Sequence, residues 1–113
     1  MFSDRERQWL TDIVENIDAI TDYVTGLDLA AFSADRKTID ATERCLERII
    51  EAIVRLGPER MSLILSSFPA HVVRGMGNRL RHEYEAVSIP VVWTTVTDDL
   101  PPLRAACFSA LES

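Results

Sequence analysis

SDRERQWLTDIVENIDAITDYVTGL, residues 3–27, is the stretch that decides the fold. Leu10, Ile13, Val14, Ile17, Ile20, Val24 and Leu27 recur mostly at steps of three and four, while Asp, Glu, Asn and Thr occupy most positions between them. That period lines one face of a 3.6-residue helix with apolar side chains. Ser3, with Glu6 three residues on, has the form of a capping box, in which hydroxyl and carboxylate satisfy each other's orphan backbone N–H groups. A helix is therefore expected to start there and to end at Gly26.

The same period returns downstream. Ile39, Leu46, Ile49, Ile50, Ile53 and Val54 form the expected buried stripe of a second long helix, capped by Ser33 or Asp35 and stopped by Gly57-Pro58. A short apolar turn, Met61 to Leu65, leads to Ser66-Ser67-Phe68-Pro69, where Ser supplies a cap and Pro suits a first helical turn. A third main helix is expected over roughly residues 69–87. Ser88-Ile89-Pro90 restarts the chain into a helix through Trp93 and Val96, and Pro101-Pro102 is expected to break or kink it before Leu103, Ala106, Cys107, Ala110 and Leu111. With no period-two pattern, internal repeat or linker, the expectation is all-α: a compact up-and-down bundle of four to five helices in one domain, residues 1–113.

Composition excludes several alternatives. The 113 residues are 47% hydrophobic, enough for a real core, and carry a net charge of −6. Such acidity argues against a protein that coats duplex DNA non-specifically, which needs many Lys and Arg against phosphate, so any nucleic-acid contact is expected to be local. Two cysteines, Cys45 and Cys107, make no disulfide framework and read as small buried hydrophobes; no His/Cys spacing resembles a zinc site, so neither metal nor cofactor is expected. The N-terminus has no apolar segment after basic residues, and no run approaches the ~20 apolar residues of a membrane span. A soluble cytoplasmic protein is expected.

Residues 71–87, HVVRGMGNRLRHEYEAV, carry the chemistry. On a helical projection Val73, Met76, Leu80 and Val87 fall within about 60° of one another, with Tyr84 at their margin. His71, Arg74, Asn78, His82 and Glu85 fall within about 80° on the opposite side. A solvated helix face is usually Lys and Glu; two imidazoles, a guanidinium and a carboxamide suit binding and protonating a phosphoester, or else a polar interface between helices. Arg74, Arg79 and Arg81 lie close together, leaving 9 basic against 18 acidic residues elsewhere, so the basic spot points to local anion recognition. Gly75 and Gly77 each cost about 1 kcal/mol relative to Ala inside a helix, which makes sense where another backbone or a ligand approaches closely.

Gly75-Met76-Gly77-Asn78-Arg79-Leu80-Arg81-His82-Glu83-Tyr84, followed by Val92-Trp93 and Asp99-Leu100-Pro101, resembles the HepT-like branch of the HEPN superfamily, helical ribonucleases of toxin–antitoxin modules. Asp35-Arg36-Lys37-Thr38, Asp40-Ala41 and Glu51-Ala52 are similar to that family's second long helix, so the resemblance covers most of the chain. Its strongest anchor is Asn78-x-Leu80-x-His82-x-Tyr84. The resemblance implies a HEPN-like fold and a metal-independent endoribonuclease acting on RNA as a homodimer, with catalytic Arg and His meeting their copies in a cleft at the dimer axis. His82 matches the family histidine. The family's arginine stands five residues before it, where this chain has Gly77.

Arg74 and Arg81 project about 60° and 40° from the direction of residue 77, so either can reach the same cleft. Arg74 is the first choice because it shares the stripe of His82, and Asn78 can orient the scissile group. The competing expectation is a catalytically degenerate protein that keeps partner binding; a third is a structural helical module with a polar dimer interface. In the resembled family the tyrosine two residues after the histidine, here Tyr84, receives AMP from a partner nucleotidyltransferase antitoxin; on ideal geometry it points to the core. His71 reads as an ordinary exposed or helix-start histidine. Trp9 and Trp93 read as core or interface anchors rather than ligand platforms.

Overall fold

A computed structural model describes residues 2–65 and 89–113. The expected helix over 69–87, and with it His71, Arg74, Gly75, Gly77, Asn78, Arg81, His82 and Tyr84, lies outside the described residues. All regular structure among the described residues is helical.

Helix α1 is Asp4–Val24, opened by the expected capping box: Ser3 Oγ accepts from the Glu6 N–H at 3.0 Å, and Glu6 Oε1 accepts from the Ser3 N–H at 2.9 Å. Leu10, Ile13, Val14, Ile17 and Ile20 are buried as the period demands, whereas Val24 and Leu27 are only half-buried where the chain turns at Gly26, whose φ is +81°. A short helix that the periodicity did not predict, α2 (Leu29–Ser33), follows. Asp28 caps it by accepting from the Ala31 N–H at 2.8 Å, and it buries one side chain, Phe32. Five residues are too few to show a period.

Of the two candidate caps for α3 (Arg36–Leu56), Asp35 serves. Its Oδ1 accepts from the Thr38 N–H at 3.1 Å and its Oδ2 from the Thr38 hydroxyl at 2.7 Å, which holds the Asp35 carboxyl below its usual pKa. Ser33 instead ends α2, its hydroxyl donating to the Leu29 carbonyl. Ile39, Leu46, Ile49, Ile50 and Ile53 are buried, but Val54 is 48% exposed. Val54 lies about 80° around the helix from Leu46, and the buried face widens the other way, to Thr42, Cys45, Ala52 and Leu56.

Gly57, with φ +87°, ends α3, and Pro58 starts α4 (Pro58–Ile64). The expected turn at Met61–Leu65 is thus mostly helix, because Pro58 has the φ that a first helical residue needs and donates no hydrogen bond there. Beyond the undescribed segment, α5 (Ile89–Thr94) runs through a π-helical turn, Thr95–Asp99, into α6 (Leu100–Glu112). Pro101-Pro102 therefore does not break the helical path. Both prolines lack an N–H and would crowd carbonyls one α-turn back. The chain instead widens just before them, with the Leu100 N–H donating to the Thr95 carbonyl five residues earlier, and the prolines occupy the first turn of α6.

α1 packs antiparallel against both α3 and α6. Arg104 reaches Asp18 through two hydrogen bonds of 2.6 and 3.3 Å, and Arg7 Nη2 donates to the Leu111 carbonyl at 2.6 Å. Arg60 of α4 pairs with Glu6 at 3.0 Å, near the start of α1. At the other end Phe32 packs on Trp93, ring centroids 5.0 Å apart. Leu65 and Ile89, which flank the undescribed segment, accordingly lie at opposite ends of the bundle. These part-buried pairs set the orientation of the helices, while the buried aliphatic side chains, about 1.5–3 kcal/mol each, hold the bundle together.

One buried group works against stability. Thr42 is 0% exposed, and its hydroxyl has no hydrogen-bond partner among the described residues. An unpaired buried polar group costs about 1–3 kcal/mol, whereas an apolar group of the same shape does not. Thr42→Val is therefore expected to leave stability unchanged or raise it by up to about that amount in urea unfolding. A clear loss would mean that the hydroxyl is bonded.

Candidate functional site

The residues to which the sequence assigns chemistry, His82, Arg74, Asn78, Arg81 and Tyr84, lie outside the described residues, so the structure neither brings them together nor separates them. It does describe the two ends of the family-like pattern, which turn out to be structural. Upstream, Asp35 is the cap of α3, and Arg36 pairs with Asp40 at 3.1 Å. Downstream, Val92 and Leu100 are buried, Trp93 is half-buried against Phe32, and Asp99 and Pro101 occupy the junction between the π turn and α6. Trp93 is thus the packing anchor expected of it.

Cys45 and Cys107 are both buried, as small hydrophobes should be. Burial pushes the Cys107 thiol up to about 12, so it stays protonated and is no nucleophile at neutral pH. Glu6 is shifted the other way. The backbone N–H of Ser3 lowers its pKa, and Arg60 adds to the effect, so the carboxylate that closes the capping box also ties α4 to α1. Among the described residues no group of three or more His, Cys, Asp or Glu is placed to hold a metal ion. No helix among them is long and apolar enough to cross a membrane.

The sequence reading missed an open polar groove of about 330 Å³ along the seam between α1 and α3. Trp9, Asp12 and Asn16 line it from α1, and Arg48, Glu51, Ala52 and Arg55 from α3. Trp9 was expected to be a core or interface anchor; it packs partly on the core and also walls this groove. The available signal was the spacing of these residues, three and four apart on each helix at the margin of the apolar stripe. On either helix alone that pattern reads as solvated surface.

The described helices define an all-α, HEPN-like bundle. The family profile described as "Ribonuclease HepT-like" matches residues 13–109. A protein named probable ribonuclease HepT, from Thermococcus cleftensis, is 32% identical over 98 residues, 87% of this chain and 88% of that one. A putative RNase of Caldanaerobacter subterraneus is 30% identical over 98 residues, 87% of each chain. Another, from Methanocaldococcus jannaschii, is 32% identical over 98 residues, 84% of this chain and 78% of its own. No solved structure matches the chain. The chain belongs to the HepT-like ribonuclease family.

Proposed function

We propose that this chain is a metal-independent endoribonuclease, the toxin of a toxin–antitoxin module, working in the cytoplasm as a homodimer and neutralised by a partner nucleotidyltransferase that modifies Tyr84. The observation that carries the reading is the family match over residues 13–109, which runs through Asn78-x-Leu80-x-His82-x-Tyr84. Without a metal, RNA cleavage needs a base to take the 2′-hydroxyl proton, an acid to protonate the leaving 5′-oxygen, and positive charge beside the phosphorane. Two copies of His82 across a dimer axis supply the base and the acid. Arg74, or failing it Arg81, holds the phosphate, and Asn78 orients it. The 2′-oxygen attacks phosphorus, so the products are a 2′,3′-cyclic phosphate and a 5′-hydroxyl.

A second reading has an observation of its own. Gly77 stands where the family arginine is expected, which favours a degenerate protein that binds its partner without cleaving. Incubating the purified protein with total RNA in EDTA, then mapping the new ends, tests the first reading. Cleavage that leaves 5′-hydroxyl ends is the expected result, and RNA left intact at high protein concentration would decide for the degenerate protein.

A further inference from the structure

We propose that the groove between α1 and α3 is a nucleotide-binding subsite, in which a base bearing an exocyclic amine stacks on Trp9 and its phosphate meets Arg48. This rests on the ribonuclease reading for its biological source, an RNA strand, but the chemistry of the groove stands apart from residues 71–87. The cavity, about 330 Å³, is at the small end of the range for ligand sites and suits a nucleotide rather than a larger cofactor. Trp9 is half-buried, held against the core and still facing the groove, so it offers a fixed aromatic surface of the kind on which bases stack.

The polar groups are arranged to match. Arg48 is exposed and makes no ion pair among the described residues, whereas Arg55 in the same groove is engaged by Glu51 at 2.9 Å. Arg48 is therefore the cation available to a phosphate, and a guanidinium binds phosphate through two parallel N–H donors. On the opposite wall Asp12 accepts from Gln8 through Oδ1 at 2.9 Å, leaving Oδ2 to take a base N–H. Asn16 donates through Nδ2 to the Asp12 backbone carbonyl at 2.8 Å, which leaves its own side-chain oxygen as a second acceptor in the lining. These acceptors suit an amine-bearing base and do not suit the carbonyl edge of uracil. Two arginines and two carboxylates make the groove neutral overall, which fits recognition of one nucleotide better than non-specific attraction to a polyanion.

The test reads Trp9 fluorescence in a Trp93→Phe, His82→Ala background, so that one indole reports and cleavage plays no part. The probes are a short single-stranded RNA of mixed sequence, and AMP, GMP and UMP singly. Saturable quenching by the RNA is expected, weakened about 5–150-fold in a parallel filter-binding measurement when Trp9 is replaced by Ala. Because Trp9→Ala also removes packing, Arg48→Glu serves as the second variant; it touches only the exposed side chain and is likewise expected to weaken binding at least tenfold. Quenching by RNA alone identifies a nucleotide within the strand; quenching also by AMP or GMP, and less by UMP, identifies a mononucleotide site. No saturable quenching by any probe, or binding unchanged in Arg48→Glu, overturns the proposal whether or not the wild type cleaves RNA. Loss of cleavage in His82→Ala with RNA binding intact would uphold the ribonuclease reading independently.

Discussion

Replacing His82 with Ala is expected to abolish RNA cleavage and toxicity to the host cell while leaving the helical circular dichroism unchanged. General acid and base catalysis contributes about 10²–10⁴-fold for each positioned group, and in a symmetric dimer one substitution removes both. The polar stripe on which His82 falls is separate from the apolar positions of its segment, so the fold is not expected to depend on it. Toxicity retained in His82→Ala would rule out the catalytic assignment. Loss of the helical signal would instead make His82 a structural, hydrogen-bonded side chain.

Arg74→Ala is expected to lower cleavage by about 10²–10³-fold, the usual loss when one donor to a developing negative charge is removed. Arg81→Ala should cost less, because Arg81 lies off the stripe that Arg74 shares with His82. Gly77→Arg is the decisive companion. An enzyme that has relocated its arginine to position 74 should gain little from it or clash, whereas a degenerate one should acquire cleavage. If the wild type and both Ala variants are equally inert and Gly77→Arg cleaves, the chain is a partner-binding member of its family, with His82 a remnant of lost chemistry. Initial rates on one defined RNA, compared across the four proteins, separate these outcomes.

The long helices α1 and α3 were legible in the sequence, for a local reason. A helix buries one face, so Leu10, Ile13, Ile17 and Ile20, or Ile39, Leu46 and Ile53, announce both the element and the side that faces the core. Caps are equally local: Ser3 with Glu6, and Asp35 with Thr38, are satisfied within three residues. The family pattern around His82 is likewise a matter of spacing along one segment. It identified the kind of protein, and Gly77 is the point at which a departure from the family pattern is expected. Where the pattern was short, it failed: α2 is five residues long and rests on Phe32, whose burial depends on Trp93 more than sixty positions away.

What only the tertiary structure decided concerns margins and junctions. Val54 is exposed because among the described helices α1, with α2 and α4, sets which arc of α3 is covered, and the period alone leaves that arc free to rotate by a residue or two. Pro101-Pro102 could have ended a helix or only bent it; the π turn at Thr95–Asp99 carries the helical path across because Leu100 and Leu103 are both held in the core on the far side. Trp9 and Arg48 are 39 positions apart and share a groove only because α1 and α3 run antiparallel in one register. By itself the sequence determined which residues are apolar on each helix, where the helices are capped and which motif the chain carries, since each depends on neighbours three or four positions away. The tertiary structure decided which of those surfaces face one another, because that depends on the packing of helices whose contacts no local spacing records.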